Sequence, residues 1–181
     1  MSATDITETK FHSMLQDQIR NEFTASAQYV AIAVHFDDED LPQLAAHFYR
    51  QAVEERNHAM MLVRYLIDRG VKADIPGTDP VRNDFGSVRD ALALALDQER
   101  AVTEQITALT AAARDEHDYL GEQFMQWFLK EQVEEVATMT TLLRIAERAG
   151  SDLFHIEDFV AREMKVPAAD PGAPAAAGGA L

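Results

Sequence analysis

The fold of this chain is constrained above all by four long segments whose apolar residues recur with helical periodicity. They run from about residue 7 to 36, 41 to 68, 88 to 114 and 119 to 148. Neither proline nor glycine interrupts the interior of the first three, and the fourth has only Gly121 near its start. Helices of roughly 28 residues are twice the globular average in length. Because no segment shows a strand pattern, the sequence predicts an all-α bundle.

The links between the segments predict how the helices are arranged. The acidic links at 37–40 and 115–118 are short, so each should join an antiparallel pair of helices. The link at 69–87 contains Pro76, Gly77 and Pro80 and reaches roughly 60 Å when extended, which is enough to follow the length of a helix. These links predict a four-helix up-down-down-up bundle with one long crossover loop.

The end of the sequence predicts one more helix and a tail. Gly150 should end the fourth helix, and Ser151 is expected to cap a short fifth helix from 152 to about 164. Residues 165–181 are rich in proline, glycine and alanine and contain no aromatic side chain, which is typical of a flexible tail. We therefore expect one domain, 1–164, followed by this tail.

The negative net charge and the absence of cysteine exclude several classes of function and of metal site. The net charge is -15 and no run of lysine or arginine forms a basic stripe, which argues against nucleic acid or an anionic membrane as the partner. The chain has no cysteine, so disulfides, zinc–thiolate sites and iron–sulfur clusters are excluded. The first ten residues lack the apolar core of a signal peptide, and no segment reaches transmembrane length. The expected compartment is the cytoplasm.

Each long segment carries a glutamate in the middle of its apolar stripe. Glu22, Glu55, Glu99 and Glu135 each lie one heptad from an apolar residue on either side. His58 lies on the same face as Glu55, one turn further on. A single glutamate in a helix usually faces solvent, but helices of similar length packed side by side bring their midpoints together. The four carboxylates are therefore expected to converge in one layer of the bundle.

Four converging carboxylates need a source of positive charge. Burial of one unpaired charge is already unfavourable, and mutual repulsion adds to it. Protons can neutralise some of the carboxylates, whereas divalent cations neutralise all of them and use every oxygen. Carboxylates with one imidazole and no sulfur favour iron or manganese, with zinc as a competitor. The sequence therefore predicts a dinuclear metal site.

The complete pattern resembles the bacterial non-haem ferritins of the ferritin-like di-iron superfamily. The resemblance covers about residues 7 to 164, and it is carried by Glu22, the EERNH run at 54–58, Glu99 and the EQVEE run at 131–135. It implies a ferritin-like four-helix bundle that contains a di-iron ferroxidase centre.

The resemblance also implies a role for each matching residue. Glu22, Glu55 and His58 would bind a first iron, and Glu55 would bridge to a second iron. Glu99 and Glu135 would hold that second iron. A third iron site, typical of bacterial ferritins, would be formed by a further set of carboxylates: Glu54, Glu131 and Glu134, together with Glu135.

Three other residues match positions beside the metal ions, and a fourth, Arg56, departs from the pattern of a related family. Gln132 would flank the pair, near the place where dioxygen binds. Tyr29 and Trp127 match aromatic residues next to the site, where they either donate electrons or pack in the core. Arg56 follows the bridging glutamate directly, at the position where bacterioferritins place a haem-ligating methionine, so haem is not expected.

The implied function is that of an iron-storing ferroxidase. Its substrates would be Fe(II) and dioxygen, and the ferric product would be stored as mineral inside a homo-oligomeric cage of about 24 subunits. A site with one imidazole and extra carboxylates is expected to release ferric iron rather than to keep it. The alternatives are a di-iron or dimanganese oxidase or peroxidase that acts on another substrate, and a non-catalytic cage subunit.

Two further regions are candidates for contacts outside the metal layer. The link between the third and fourth helices lies near the three-fold pores of this family, where its acidic residues either attract Fe(II) or are merely solvated: Asp115, Glu116, Asp118 and Glu122. The tail 165–181 is either an unstructured terminus or a segment that faces the cage interior or binds a partner such as an encapsulating shell. Release of stored iron would also require a reductase or another electron donor.

Overall fold

A computed structural model describes residues 9–164, 166, 168 and 170–181. These residues form five α-helices and no β-strand. The helices are α1 Lys10–Asp38, α2 Pro42–Asp68, α3 Val88–Asp115, α4 Tyr119–Ala149 and α5 Leu153–Glu163. The predicted all-α bundle with a short fifth helix is confirmed, and the predicted boundaries agree to within a few residues. None of the helices described is long and apolar enough to cross a membrane.

Local chemistry explains where the helices begin and end. The side chains of Thr9, Ser87 and Asp118 accept hydrogen bonds from backbone N–H groups in the first turns of α1, α3 and α4. Pro42 starts α2, where its missing N–H costs no helical hydrogen bond. Gly150 ends α4 with a φ of 60°, a conformation that a residue without Cβ adopts at little cost.

The start of α5 differs from the prediction. Its cap residue is Asp152 instead of Ser151, and Asp152 makes no capping hydrogen bond through its side chain. The backbone N–H of Asp152 donates to the carbonyl of Ala149 at 3.0 Å, so the turn that follows α4 includes Ser151. The predicted cap at Ser151 is therefore wrong, because this turn moves the helix start by one residue.

The long crossover runs along α1 from one end of the bundle towards the other. Side chains of α1 bond in order to backbone groups of the crossover, in the pairs Gln16–Lys72 at 2.7 Å, Thr24–Asp79 at 3.0 Å and Gln28–Arg82 at 2.8 and 2.7 Å. The contacts on α1 therefore advance by twelve residues, or about 18 Å along its axis. This path returns the chain to the end where α2 began, which makes α2 and α3 parallel.

The core consists of two apolar clusters separated by a polar layer at mid-bundle. On α1, the fully buried members of one cluster lie at 11–19 and those of the other at 29–36. The two clusters are separated in the same way on the other long helices. The interruption lies between residues 52 and 61 on α2, between 96 and 102 on α3, and between 128 and 139 on α4. The four interruptions contain Glu22, Glu55, Glu99 and Glu135. The glutamates of the stripes thus share one layer.

The described part of the tail lies on α2 and α4. The backbone N–H of Ala177 donates to the carbonyl of Met60 at 2.9 Å, and the backbone N–H of Leu181 donates to Asn57 Oδ1 at 3.1 Å. Composition alone did not predict these contacts. Residues 1–8, 165, 167 and 169 lie outside the described part of the chain. The division into a domain, 1–164, and a flexible tail, 165–181, stays a prediction.

Candidate metal centre

Glu22, Glu55 and His58 form a compact group in the polar layer, which we call the α1–α2 group. Glu22 belongs to α1, whereas Glu55 and His58 lie three residues apart on α2 and share one face of it. All three side chains are almost fully buried, and one ligand atom of each lies within 4.8 Å of the others. In the described part of the chain, no other set of three histidine or acidic side chains comes this close.

Each carboxylate of the α1–α2 group has one oxygen held by the protein and one left open. Gln18 Nε2 donates to Glu22 Oε1 at 2.8 Å, and His58 Nδ1 lies 3.2 Å from Glu55 Oε2. The opposite oxygens, Glu22 Oε2 and Glu55 Oε1, are buried and receive no hydrogen bond from another group of the described residues, while the two carboxyl groups lie close enough to share a proton. A buried oxygen of this kind is unfavourable unless a proton or a cation occupies it. The donor set therefore fits a metal ion.

Glu99 and Glu135 contribute to the layer from α3 and α4. Tyr29 Oη donates to Glu99 Oε1, while Glu99 Oε2 is buried without a partner in the part of the chain that the structure describes. Gln51 Nε2 donates to Glu135 Oε1 at 3.4 Å. Neither glutamate belongs to the compact α1–α2 group. They contribute carboxylates to the same polar layer, and their role as ligands of a second metal ion stays a prediction.

Burial raises the pKa values of all four glutamates. The pKa of Glu22 rises from 4.5 to about 8, because its burial opposes the charged form and the charge of Glu55 adds to this effect. Burial raises the pKa of Glu99 to about 7, although the hydrogen bond from Tyr29 works in the opposite direction. The pKa values of Glu55 and Glu135 are also raised, first by burial and then by Glu99. Without a cation the layer holds protons near neutral pH, and a bound cation would displace them.

Gln132 lies in the layer on α4, one turn before Glu135. It is buried, and Thr103 Oγ1 donates to Gln132 Oε1 at 2.9 Å. Because this bond engages the carbonyl oxygen, the NH₂ group is the end of Gln132 that is free to face carboxylates. A hydrogen bond from Gln132 correspondingly lowers the pKa of Glu99. Gln132 therefore acts as a donor to the layer in this geometry.

Glu54, Glu131 and Glu134 lie at the edge of the layer rather than inside it. Glu54 and Glu131 are half-buried, and Glu134 is exposed. Together with Glu135 they line a cavity of about 290 Å³ beside α2, α4 and the end of α5. Burial, and next the charge of Glu134, raise the pKa of Glu131. These edge carboxylates connect the buried layer with an open cavity, and their role as a third metal site stays a prediction.

Tyr29 and Trp127 both contact residues of the layer, in different environments. Tyr29 is fully buried, and burial together with the charge of Glu99 raises its pKa well above 10. Trp127 is half-buried on α4, and its ring stands edge-on to that of His58 with 5.6 Å between centroids. Its indole N–H donates to Asp170 Oδ2 at 3.0 Å. An electron-donating role for either aromatic residue stays a prediction.

Three of the four acidic residues at the turn between α3 and α4 make contacts at helix ends. Glu116 accepts hydrogen bonds from the first two backbone N–H groups of α1 at 2.9 and 3.2 Å. Asp118 caps α4, and Glu122 pairs with Arg114 at 2.6 Å. These contacts give the three residues a structural role that neither pore lining nor simple solvation describes. Their placement at a pore, with that of Asp115, stays a prediction.

Two buried glutamines that bond to the layer were not predicted from the sequence. Gln18 and Gln51 are 2% and 5% exposed. Each lies four residues before a layer glutamate, Gln18 before Glu22 and Gln51 before Glu55, and therefore shares its helix face. The signal was present in the sequence as the same Gln-x-x-x-Glu spacing in two apolar stripes.

Comparison with known proteins gives a consistent set of relatives. The ferritin family model, described as a ferritin-like domain, matches residues 13–149. The chain is 73% identical over 181 residues to ferritin BfrB of Mycolicibacterium smegmatis, and the match covers 100% of both chains. It is 68% identical over 174 residues, 96% of each chain, to ferritin BfrB of Mycobacterium tuberculosis.

A solved structure extends the likeness to the fold. The chain resembles an open-pore ferritin from the hyperthermophilic archaeon Archaeoglobus fulgidus with a TM-score of 0.83 and 26% sequence identity. The match covers 87% of this chain and 98% of the archaeal chain.

Proposed function

The chain belongs to the ferritin family, and on that premise we propose that its buried glutamate layer is the centre at which it oxidises Fe(II). It is an iron-storage ferritin subunit and a ferroxidase. Iron is both its substrate and its cargo, because Fe(II) is oxidised and then stored as ferric mineral. Dioxygen is the proposed electron acceptor.

The observation that carries this proposal is the α1–α2 group. Glu22 Oε2 and Glu55 Oε1 are buried oxygens that receive no hydrogen bond from another group of the described residues, and the three side chains of the group lie close enough together to surround one cation. Oxygen and imidazole donors without sulfur suit Fe(II). We assign the first iron to Glu22, Glu55 and His58.

The second iron is assigned to the other half of the layer. Glu99 and Glu135 supply its carboxylates, and Glu55 bridges the two ions. Two divalent cations then balance the four carboxylates when these are ionised, so no buried charge is left unpaired. Gln132 supplies a hydrogen-bond donor beside this ion rather than a further charge.

The protein groups move protons while the iron supplies electrons. When Fe(II) binds, the protonated glutamates of the layer lose their protons, as their raised pKa values require. Two Fe(II) ions together would give two electrons to one dioxygen, which would take up two protons and leave as hydrogen peroxide, and hydrolysis of the two ferric ions would release further protons. Glu54, Glu131 and Glu134, together with Glu135, are proposed to hold a third ion on the way from the buried layer to the open cavity that they line.

The proposal also concerns the assembly of the protein, its location and its partners. The protein assembles as an oligomeric ferritin cage, for which we propose 24 identical subunits and a closed symmetry. The cytoplasm is the proposed location. Arg56 remains the ground for expecting no haem, and a reductase and an encapsulating shell remain candidate partners.

Aerobic oxidation of Fe(II) by purified cages tests this function. Glu22→Ala and His58→Ala should each slow the initial oxidation by at least about tenfold, because each removes a ligand of the first iron. Glu104→Ala is the matched control, since Glu104 is an exposed glutamate of α3 outside the layer. Equal rates for all three variants and the parent protein would refute the proposed centre.

A further inference from the structure

A small polar cavity lies between α1, α3 and the crossover, and we call it the α1–α3 cavity. Its volume is about 140 Å³, which is room for a few water molecules. The cavity beside the edge carboxylates is a different one, because its walls belong to α2, α4 and the end of α5. The lining of the α1–α3 cavity includes Asn21 and Ala25 of α1, Gln98, Val102 and Gln105 of α3, and exposed Asp79 of the crossover.

The inner wall of the α1–α3 cavity adjoins the glutamate layer. Ala25 lies one turn after Glu22 on α1, and the two residues share one helix face. Val102 lies one turn after Glu99 on α3 in the same way. Ala25 and Val102 are 3% and 5% exposed, so they form the buried end of the cavity. This end therefore lies about 4.5 Å along the helix axes from two predicted metal ligands.

Hydrogen bonds connect the cavity wall to the layer on α1. Asn21 Nδ2 donates to Gln18 Oε1 at 3.1 Å, and Gln18 Nε2 donates to Glu22 Oε1 at 2.8 Å. Gln18 is buried, whereas Asn21 is partly exposed. A continuous polar path therefore runs from the α1–α3 cavity to the α1–α2 group.

Two amide atoms of the lining are unpaired within the described part of the chain. Gln98 Nε2 and Gln105 Oε1 are buried and make no hydrogen bond to any described residue. A buried polar atom without a partner is unfavourable, and leucine would fill a similar space without this cost. One unpaired donor and one unpaired acceptor in the same cavity indicate that water or a hydrated ion is their partner.

We propose that the α1–α3 cavity is an inlet through which partly hydrated divalent cations reach the glutamate layer. The inference rests on the proposed function, because it takes the layer as a metal centre. The carboxylate of Asp79 attracts cations to the outer end of the cavity, and the amide oxygen of Gln105 replaces a water molecule on the passing ion. Polar walls of this kind favour a cation over dioxygen, which carries no charge. The layer then has two openings, the α1–α3 cavity and the edge carboxylates.

Anaerobic stopped-flow binding of Co(II) to metal-free cages tests the inlet without any redox step. The absorption change that belongs to the layer is the part that His58→Ala removes. The double variant Gln98→Leu, Gln105→Leu makes the cavity apolar at nearly constant side-chain size. We expect it to bind Co(II) in the layer at least about fivefold more slowly than the parent, because an apolar wall raises the barrier to passage of a cation. The equilibrium affinity should change less than about twofold, since an inlet alters rates and not the bound state.

Two further variants complete the comparison. Gln126→Leu is the control for the glutamine-to-leucine change, because Gln126 is exposed on α4 and does not line the α1–α3 cavity. Its Co(II) association rate should equal that of the parent. Ala25→Val narrows the buried end of the cavity by a different change, and it should also slow Co(II) association. It keeps the inlet testable should the double variant fail to assemble.

The outcomes separate the inlet from a structural role and from the underlying function. Removal of two unpaired amides should raise the melting temperature or leave it unchanged, so slower Co(II) association in a protein of equal or higher stability supports the inlet. Unchanged Co(II) association in the double variant and in Ala25→Val would overturn it. Slower aerobic Fe(II) oxidation at an unchanged Co(II) rate would also overturn it, by assigning the cavity to dioxygen. Absence of Co(II) from the layer of the parent would instead refute the proposed centre.

Discussion

Tyr29 donates its phenolic hydrogen to Glu99 Oε1 in the centre of the bundle, between α1 and α3. The ring of Tyr29 packs edge-on against Phe48 at 5.4 Å, in one of the two apolar clusters, while its hydroxyl reaches the polar layer. The same side chain thus contributes to the core and fixes one oxygen of a predicted metal ligand. The opposite oxygen of Glu99 is buried without a hydrogen-bond partner among the described residues, and its role as a metal ligand stays a prediction.

Replacement of Tyr29 by phenylalanine should separate these two contributions. The ring packing is kept, but Glu99 loses a donor that lowers its pKa, so its ionised form becomes less favourable. We expect the affinity for the second cation to fall by about tenfold, measured by zinc titration calorimetry. Tyr49→Phe is the control, because the hydroxyl of exposed Tyr49 bonds to Asp37 at the surface. Equal affinities in both variants would contradict the assigned role.

The metal-free protein should lose stability as the pH rises. The folded pKa of Glu22, about 8, and that of Glu99, about 7, lie above the ordinary value of 4.5. Their contribution to stability is therefore fully present below pH 4.5 and is lost as the pH passes through 7 and 8, by an amount on the order of several kcal/mol. Melting temperatures of metal-free cages between pH 5 and 8 measure this loss.

Two controls make the pH dependence specific to the layer. Glu22→Gln should flatten the slope, because its amide does not ionise, and zinc at pH 8 should restore the stability of the parent protein. A melting temperature of the metal-free parent that rises steadily from pH 5 to 8 would show that the layer does not hold protons.

Gly121 should not tolerate a larger side chain. A Cβ atom at this position of α4 would lie 2.5 Å from the ring of Phe11 and 3.1 Å from Asp118. Gly121→Ala is therefore expected to destabilise the fold by about 1–3 kcal/mol, despite the better helix propensity of alanine. Thermal unfolding measures the change. Gly86→Ala is the control and should be nearly neutral, because a Cβ atom at Gly86 would lie 3.9 Å from its nearest neighbour, Asp90 Oδ2.

The single tryptophan should report on the docking of the tail. Trp127 donates to Asp170, and Lys130 lies 3.9 Å from the same carboxylate. Asp170→Ala removes both contacts, so the indole should become more accessible to acrylamide quenching, with emission shifted to longer wavelength. Asp158→Ala, an exposed change on α5, should leave the fluorescence as it is. An unchanged spectrum of Asp170→Ala would mean that the tail does not dock there in solution.

The glutamates of the layer were predictable because they break a strong pattern. Glu22 and Glu55 replace apolar residues in stripes that are otherwise continuous, and such a break at mid-helix has few physical explanations. The long crossover was predictable from its length, since the link at 69–87 is long enough to follow a helix and a loop of this length in a compact domain needs a structural reason. Both inferences rest on properties that are local to the sequence.

What escaped prediction depends on contacts between distant segments. Gln18 and Gln51 read as ordinary polar residues until burial and bonding partners are known. The docking of Ala177 and Asp170 on α2 and α4 involves small or exposed residues, whose composition resembles that of free tails. The prediction of the α5 cap was wrong for a different reason. The turn after α4 moves the cap by one residue from Ser151, and helix ends commonly differ by that much.

The central claim is that two irons occupy the buried layer on either side of Glu55. Its most direct test is anomalous diffraction at the iron edge from crystals of the protein soaked anaerobically in Fe(II). The account predicts two iron peaks about 3.5–4 Å apart, one against Glu22 and His58 and the other against Glu99 and Glu135. Iron peaks confined to the surface or to the edge carboxylates, with none beside Glu55, would contradict it.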